Sequence, residues 1–302
     1  MSNKDEGQTT SNTLPNFGVG LRHQHYSDAL NDKVDSTDFI EIHAENFFAE
    51  GGKLIDYLEA VSTRYPMSIH GTAMGLGSAS GVPVSYLRPF KQLVERVNPI
   101  HISDHASFSW GTINNQPVHS GDLLPLTFDR AHLDILVNNV DHVQQTLGRK
   151  LLVENIVSYL DHAYDPMYEC DFLSELVSRT QCGLLVDINN IVVNQRNFAR
   201  TSKDVIPAAT RWLSSIVSDA VEEIHLAGSS KPPAGELIVD DHSQPVDEEG
   251  WMLYRHATTL FTNASTLIEW DNDLPSWQEL NAEAKKARKF HSTLSELKDD
   301  EK

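Results

Sequence analysis

The sequence predicts an α/β chain folded as a (β/α)8 barrel of the TIM type, and three observations predict it. Short runs rich in Val, Ile and Leu recur eight times along the chain. Their apolarity is continuous rather than alternating, which suits strands covered on both faces. Roughly 20 to 45 residues separate successive runs, enough for a crossover helix each time.

In chain order the runs are Gly18 to Leu21, Phe39 to His43, Met67 to His70, Ile100 to Ser103, Leu151 to Val153, Leu184 to Ile188, Glu223 to Leu226 and Thr266 to Glu269. Between them, Leu87 to Val97 and Phe128 to Leu147 carry the apolar spacing of helices. Pro89 falls near the start of the first and Gly148 is a natural stop for the second. A doubly wound open sheet would show the same periodicity, because periodicity does not report closure.

The 302 residues contain no Pro/Gly/Ser-rich linker, low-complexity tract or short-period repeat, so one domain is the simpler organisation. Residues 17–284 are expected to form the barrel, after a disordered polar lead, 1–16, and before a charged tail, 285–302. Neither a secretory signal nor a run of about 18 apolar residues occurs, which excludes a membrane span and suggests a cytoplasmic protein.

Composition narrows the chemistry. Forty-three acidic against 24 basic residues leave a formal charge of −19, unsuited to nucleic-acid phosphates or anionic lipid. Two cysteines, Cys170 and Cys182, cannot build a thiolate cluster, whereas 14 histidines are an ample supply of nitrogen ligands. Any metal would be held by His and carboxylate. Cys170 and Cys182 lie away from the strand ends and read as structural or incidental.

Active sites of such barrels form at the C-terminal ends of the strands, and each predicted strand here ends in polar side chains. They are Arg22, His23 and His25; His43, Glu45 and Asn46; His70; Asp104 and His105; Glu154 and Asn155; Asp187, Asn189 and Asn190; His225; and Glu269 and Asp271. An Asp-x-His pair, Asp240 and His242, follows the seventh strand. Residues on separate strands can converge on a metal without a local motif. A lone strand-end His is commonly a hydrogen-bonded structural residue, but eight strands doing so together favour a metal centre. His101, His119, His132, His142, His162, His256 and His291 fall on loops, helices or a strand's start and are read as structural or exposed. Glu41 and Glu222 or Glu223 are expected to face outward, between the helices.

The segments GVGLRHQHY (18–26), FIEIHAENFF (39–48), SIHG (68–71), ISDHASFS (102–109), LLVENIVSYL (151–160), LLVDINNIVVN (184–194), EIHLAGSS (223–230), VDDHSQPV (239–246) and LIEWDNDLP (267–275) together resemble the multinuclear non-heme iron-dependent oxidative enzymes, formerly a family of unknown function. The resemblance runs from about Gly18 to Leu280 and implies a barrel of the xylose-isomerase-like superfamily. It further implies two or three iron ions, mixed-valent Fe2+/Fe3+ in the active form, and dioxygen as co-substrate. The implied substrate is a cysteine-containing, ribosomally made precursor peptide, often delivered by a peptide-recruiting partner protein, with oxazolone and thioamide, thiooxazole or related products.

Carried onto this chain, the resemblance implies one iron on His70, His105 and Glu154, with Glu154 bridging to a second held by Asp187, His225 and Glu269. A third site would use Asn190, Asp240 and His242, sharing Asp187 or His225. Glu154 and Asp187 are the implied catalytic centre. Arg22, His25, Glu45, Asn46, Asp104, Asn155, Asn189 and Asp271 are expected to orient these ligands or line the substrate cleft. Gly71 to Ser85, rich in small residues, either shapes the peptide entrance or is a flexible loop.

Three alternatives are weighed beside this. An apurinic endonuclease of the same superfamily would want a third-site histidine where Asn190 stands, and a less acidic surface. A sugar isomerase would need a strand-end lysine that is not found. A non-catalytic metal-binding barrel would hold metal and alter no peptide.

Overall fold

The apolar runs form eight parallel strands hydrogen-bonded in a closed ring. The computed structural model describes residues 17–31, 37–161, 165–198, 201–233 and 236–299. The expected lead, 1–16, and His162 lie outside the described residues. Barrel strands are β1 (Phe17–Gly20), β2 (Phe39–His43), β3 (Met67–His70), β4 (His101–His105), β7 (Leu152–Glu154), β8 (Gly183–Asp187), β9 (Val221–Leu226) and β10 (Ser265–Ile268). Around the ring they run β1-β10-β9-β8-β7-β4-β3-β2 and back to β1, so the barrel, not the open sheet, is the fold.

The helices are α1 (Tyr26–Asn31), α2 (Lys53–Ser62), α3 (Val84–Val97), α4 (Arg130–Leu147), α5 (Glu169–Thr180), α6 (Ile188–Phe198), α7 (Val205–Ser215), α8 (Glu248–Leu260) and α9 (Trp277–Asp299). Helix α4 starts where Asp129 accepts from His132 N and stops at Gly148, φ 64°, as its glycine suggested. Helix α3 begins three residues earlier than its spacing indicated, so Pro89 lies inside it rather than near its start. Helix α9 runs through the expected boundary at residue 284. Beyond it Ala287 is buried, and Arg288 Nη2 lies 2.7 Å from Asp38 Oδ2.

Side chains alternate across each strand. One set, including Ile40, Ile42, Ile69, Ile102, Val153, Val186, Ile224 and Ile268, belongs to the apolar core shared with the helices. The other set faces the barrel interior and is largely polar. Glu41 belongs to it, contrary to expectation, as does Glu223: both are wholly buried, and Glu41 Oε2 accepts from Ser68 Oγ at 3.0 Å. Each has the parity of a strand-end histidine, His43 or His225, and so faces the same way. Glu222, one place off, does turn outward to Lys150 Nζ at 2.6 Å. At the opposite end of the barrel, His101 Nε2 bonds Ser265 Oγ at 3.1 Å, a structural role. A Cβ on Gly18 would stand 2.6 Å from the Phe39 ring, so glycine lets that ring plug the interior.

The segment after β4 leaves the ring as an antiparallel hairpin, β5 (Ser107–Ile113) with β6 (Gln116–Pro125), which apolar periodicity missed because both strands are mostly exposed. Its signal is the turn pair Asn114 and Asn115, at φ 51° and 61°, the backbone of a two-residue hairpin turn. The hairpin settles the 71–85 loop as a packed element. Ser78 Oγ accepts from Ser109 N and Trp110 N at 3.0 and 2.9 Å, while Met74 and Leu76 are fully buried. Asn139 of α4 donates to Leu76 O and Ser78 O at 2.7 and 3.0 Å.

The long segment after β9 is tied down at Gly228, which bridges to Gln244. A Cβ there would sit 2.2 Å from Pro245 O. Gly228→Ala is therefore expected to destabilise the fold by about 1–3 kcal/mol, read as a lower midpoint in thermal or urea unfolding. An unchanged midpoint would mean that the 228–245 pairing yields without cost.

Candidate metal centre

Ladder register brings the strand-end residues side by side. His43 is opposite His70, His105 opposite Glu154, and Asp187 opposite His225. Glu269, just past β10, stays in the ladder through its N–H to Leu226 O at 2.9 Å. Parity points all of them to the axis, so neighbours in register become neighbours around one space.

His70, His105 and Glu154 form a first buried group whose ligand atoms lie within 4.8 Å of one another. Glu154 Oε2 stands 3.5 Å from His70 Nε2 and 3.4 Å from His105 Nε2. Ser103 Oγ meets His70 Nδ1 at 2.8 Å; when that nitrogen donates, the Nε2 lone pair is left facing the carboxylate. Glu154, Asp187 and His225 form a second group, so Glu154 belongs to both. His225 Nδ1 also lies 3.0 Å from Glu269 Oε2.

The segment after β9 closes the third side. His242 Nε2 is 2.7 Å from Asp240 Oδ1 and 3.8 Å from Asp187 Oδ2, and its Nδ1 is 3.2 Å from Glu269 Oε2. His242 holds φ 42°, left-handed backbone that costs a non-glycine residue about 1 kcal/mol or more. Asn190 closes the first turn of α6: its N–H donates to Asp187 Oδ1 at 2.6 Å and its Nδ2 to Asn155 O at 3.0 Å. Asn189 Nδ2 donates to Asp240 Oδ1 at 2.8 Å and to Ser229 Oγ at 2.9 Å.

The surrounding residues divide by what they touch. Asn155 clamps the end of β8, accepting from Asp187 N at 2.9 Å and donating to Asp187 O at 3.1 Å. Asp104 receives the backbone N–H of His105 at 2.7 Å and of Met74 at 3.1 Å. Arg22 Nε donates to Asp271 Oδ1 at 2.8 Å, and its Nη2 lies 3.3 Å from Glu269 Oε1. Glu45 Oε1 accepts from Thr72 N at 2.8 Å and from the Tyr86 hydroxyl, which holds it against the 71–85 loop. His25 bonds Pro275 O at 2.9 Å and packs on Trp277, outside the ligand cluster. Asn46 is exposed on the turn Ala44–Phe47 and does not join the centre.

Two members of the cluster escaped the sequence-based ligand set. His43 Nε2 lies 3.4 Å from Glu269 Oε1 and 2.8 Å from Arg22 Nη2, and Glu41 Oε1 lies 3.5 Å from His225 Nε2. Each groups with Glu269 as a possible ligand set, His43 with Asp271 and Glu41 with His225. Their signal was parity: each alternates in step with a neighbouring strand's ligand.

The donor atoms are buried and under-satisfied. Glu154 Oε2, Asp187 Oδ2, Asn190 Oδ1, His225 Nε2 and both ring nitrogens of His242 have no hydrogen bond of good geometry. Buried polar atoms without partners cost about 1–3 kcal/mol each, so several aimed into one space fit a cation that would satisfy them together. Burial pushes the Glu154 carboxyl up to about 8 and that of Asp187 up to about 7, against the pull of the nearby imidazoles. Burial opposes ionisation at His225 and His242 too, yet Glu41 and Glu269, and Asp240 and Glu269, hold these imidazoles well above the usual range. Thiolate is absent from the donor set: burial lifts Cys170 and Cys182 to about 12 and about 11. Nitrogen and oxygen donors of this kind suit Fe, Mn or Zn.

Residues 16–292 match the family described as the RiPP precursor modification enzyme MbnB/TglH/ChrH, where RiPP denotes a ribosomally synthesised, post-translationally modified peptide. A UPF0276 protein of Chromobacterium violaceum is 40% identical over 278 residues, covering 91% of this chain and 95% of its own. One from Caulobacter vibrioides is 39% identical over 272 residues, with 90% and 92% covered. Among solved structures, an L-ribulose 3-epimerase superposes with a TM-score of 0.54 at 14% identity, covering 94% of this chain and 98% of that one. A xylose isomerase domain protein from Alicyclobacillus acidocaldarius gives 0.51 at 11%, with 93% and 97% covered. Those two likenesses show a common fold, the xylose-isomerase-like barrel. With the match spanning nearly all of the barrel and its strand-end residues, this chain belongs to the RiPP precursor modification enzyme family MbnB/TglH/ChrH.

Proposed function

We propose that this protein oxidatively modifies a cysteine-containing segment of a ribosomally made precursor peptide, using two or three iron ions, mixed Fe2+/Fe3+ in the active form, and dioxygen as co-substrate. The observation that carries this reading is the convergence of unsatisfied His and carboxylate atoms at the barrel mouth, in a chain of a peptide-modifying family. His70, His105 and Glu154 would hold one ion, with Glu154 shared with a second on Asp187, His225 and Glu269. Asp240, His242 and Asn190 would hold a third beside Asp187. Bound iron would supply one-electron redox chemistry, which no side chain at this site offers. A second protein that recruits the precursor belongs to the same proposal.

The chain's own residues set the conditions. Carboxylates can share two cations through their two oxygens, whereas an imidazole ends on one, so Glu154 and Asp187 would be the residues to share ions and the histidines would each hold one. Asn155 holds the Asp187 backbone at its N–H and C=O, and the first turn of α6 holds the Asp187 carboxylate through the Asn190 N–H. Arg22 offsets the charge of Asp271 and Glu269. With both enzyme thiols buried and protonated, the reacting sulfur belongs to the peptide.

Aerobic co-expression with cysteine peptides from neighbouring reading frames should change the mass of one of them, and replacing that cysteine by serine, or excluding oxygen, should abolish the change. An unaltered mass with iron-loaded protein, partner and oxygen present would sink the assignment. Glu154→Ala should keep the fold but lose bound iron and all modification; full metal content by elemental analysis would remove Glu154 as a shared ligand. Asn155→Ala touches no ligand atom and should weaken metal binding roughly 10- to 100-fold in a chelator competition.

Proton accounting gives a further outcome. Glu154 and Asp187, raised to about 8 and about 7, bind protons more tightly folded than unfolded, as does His105, raised to about 9. Their contribution is complete below the unfolded values and is lost as pH climbs through the folded ones. Glu269 and Asp271 shift downward and stay ionised across this range, while His70, also shifted downward, opposes the trend only as the unfolded imidazole loses its proton near pH 6.5. The metal-free protein should therefore unfold at a lower temperature at pH 8.5 than at pH 6.5. Added Mn2+ should raise the midpoint more at the higher pH, because the ion replaces those protons. A flat or rising midpoint for the metal-free protein would contradict this.

A further inference from the structure

Beside the barrel mouth, between the segment after β7 and helices α5, α6 and α7, lies a cavity of about 610 Å3. Phe128, Met167, Phe198 and Trp212 give it apolar walls. Set into them is a carboxylate, Glu169. Trp212 Nε1 donates to Glu169 Oε2 at 2.7 Å, and among the described residues no cation perturbs this carboxyl. Burial pushes it up to about 7, so it gains most from a partner that brings positive charge or a proton donor. Asp161 and Asp171 also line the space, and among the described residues the one cation in the lining is Arg211.

An apolar sleeve with an acidic anchor matches a side chain that has an apolar stem and a cationic head. The sign also matches the chain as a whole, at −19. A smaller space of about 20 Å3 shares Phe128, Ser158, Glu169 and Asn194 with the large cavity and is also lined by Ala106 and Ile156. Ala106 follows His105 and Ile156 follows Asn155. Asn194 and Phe198 lie one and two turns along α6 from Asn190, roughly 6 and 12 Å by helical rise. An extended peptide covers that span in about two to four residues.

We infer that this cavity binds a lysine or arginine side chain of the substrate peptide, about two to four residues from the residue presented to the metal centre, with Glu169 as its counter-charge. The inference rests on the peptide-modifying reading above. It makes Glu169 and Trp212 determinants of which peptides are accepted, away from the metal ligands.

Fluorescein-labelled cysteine peptides with one lysine two, three or four residues from the cysteine, and matching peptides with norleucine, can be titrated anaerobically against Mn2+-loaded protein by anisotropy. At least one lysine peptide should bind about tenfold more tightly than its norleucine counterpart. Glu169→Gln, which keeps an acceptor for Trp212, should erase that difference and leave norleucine-peptide affinity unchanged. Equal affinities of the two peptide series for the unaltered protein would overturn the inference, however the variant folds. A lysine preference that survives in Glu169→Gln would overturn it as well. Aerobic modification without lysine preference sinks the cavity and leaves the function standing, whereas lysine-selective binding lost in Glu169→Gln, with no peptide ever modified, supports the cavity and counts against the function.

Discussion

A parallel ladder allows no choice about which residues stand abreast, and that constraint governs this protein. His43 with His70, His105 with Glu154, and Asp187 with His225 are paired by register and turned inward by parity. Removed from water, these groups cannot all be satisfied by one another, and several oxygen and nitrogen atoms remain without partners. The mouth is a place of stored electrostatic cost, which a cation shared among carboxylates would relieve.

The rest of the fold makes that cost bearable. Apolar burial is concentrated between the ring of strands and the helices, where Ile40, Ile42, Ile102, Val153 and Ile224 pack, so stability does not depend on filling the barrel with aliphatic side chains. Precision comes from a different set of contacts. Asn155 grips Asp187 at its N–H and carbonyl, Asp104 caps the amides of His105 and Met74, and Arg22 balances Asp271. The 71–85 loop, pinned under the β5–β6 hairpin, roofs one side, and the segment from Gly228 to His242 closes the other. The cavity around Glu169 sits on the outer ends of the same segments that carry Glu154 and Asp187 at their inner ends.

Much of this was readable along the chain, for identifiable reasons. All eight barrel strands were marked by runs of Val, Ile and Leu, because each is covered on both faces. The candidate ligands His70, His105, Glu154, Asp187, His225 and Glu269 were marked by falling where those runs end. The hairpin was not, because its exposed strands have no apolar run and its turn is announced only by Asn114 and Asn115. Glu41 was expected outward, because alternation along a strand does not by itself say which set faces in, and the polar lining that accepts it, Ser68 and His225, comes from other strands. His43 was seen at a strand end but left out of the ligand set for want of its neighbours Arg22 and Glu269.

By itself, then, the sequence determined the repeat of strand and helix, the supply of His and carboxylate, and their positions at strand ends, because periodicity and parity are local properties of the backbone. Closure of the ring, the grouping of donors and the pairing of Asp240 with His242 against Asp187 were decided only in three dimensions. So was the setting of Glu169 beside Trp212, 43 residues away in the chain. Distances between residues far apart in sequence are fixed by register and packing, which no short window of sequence contains.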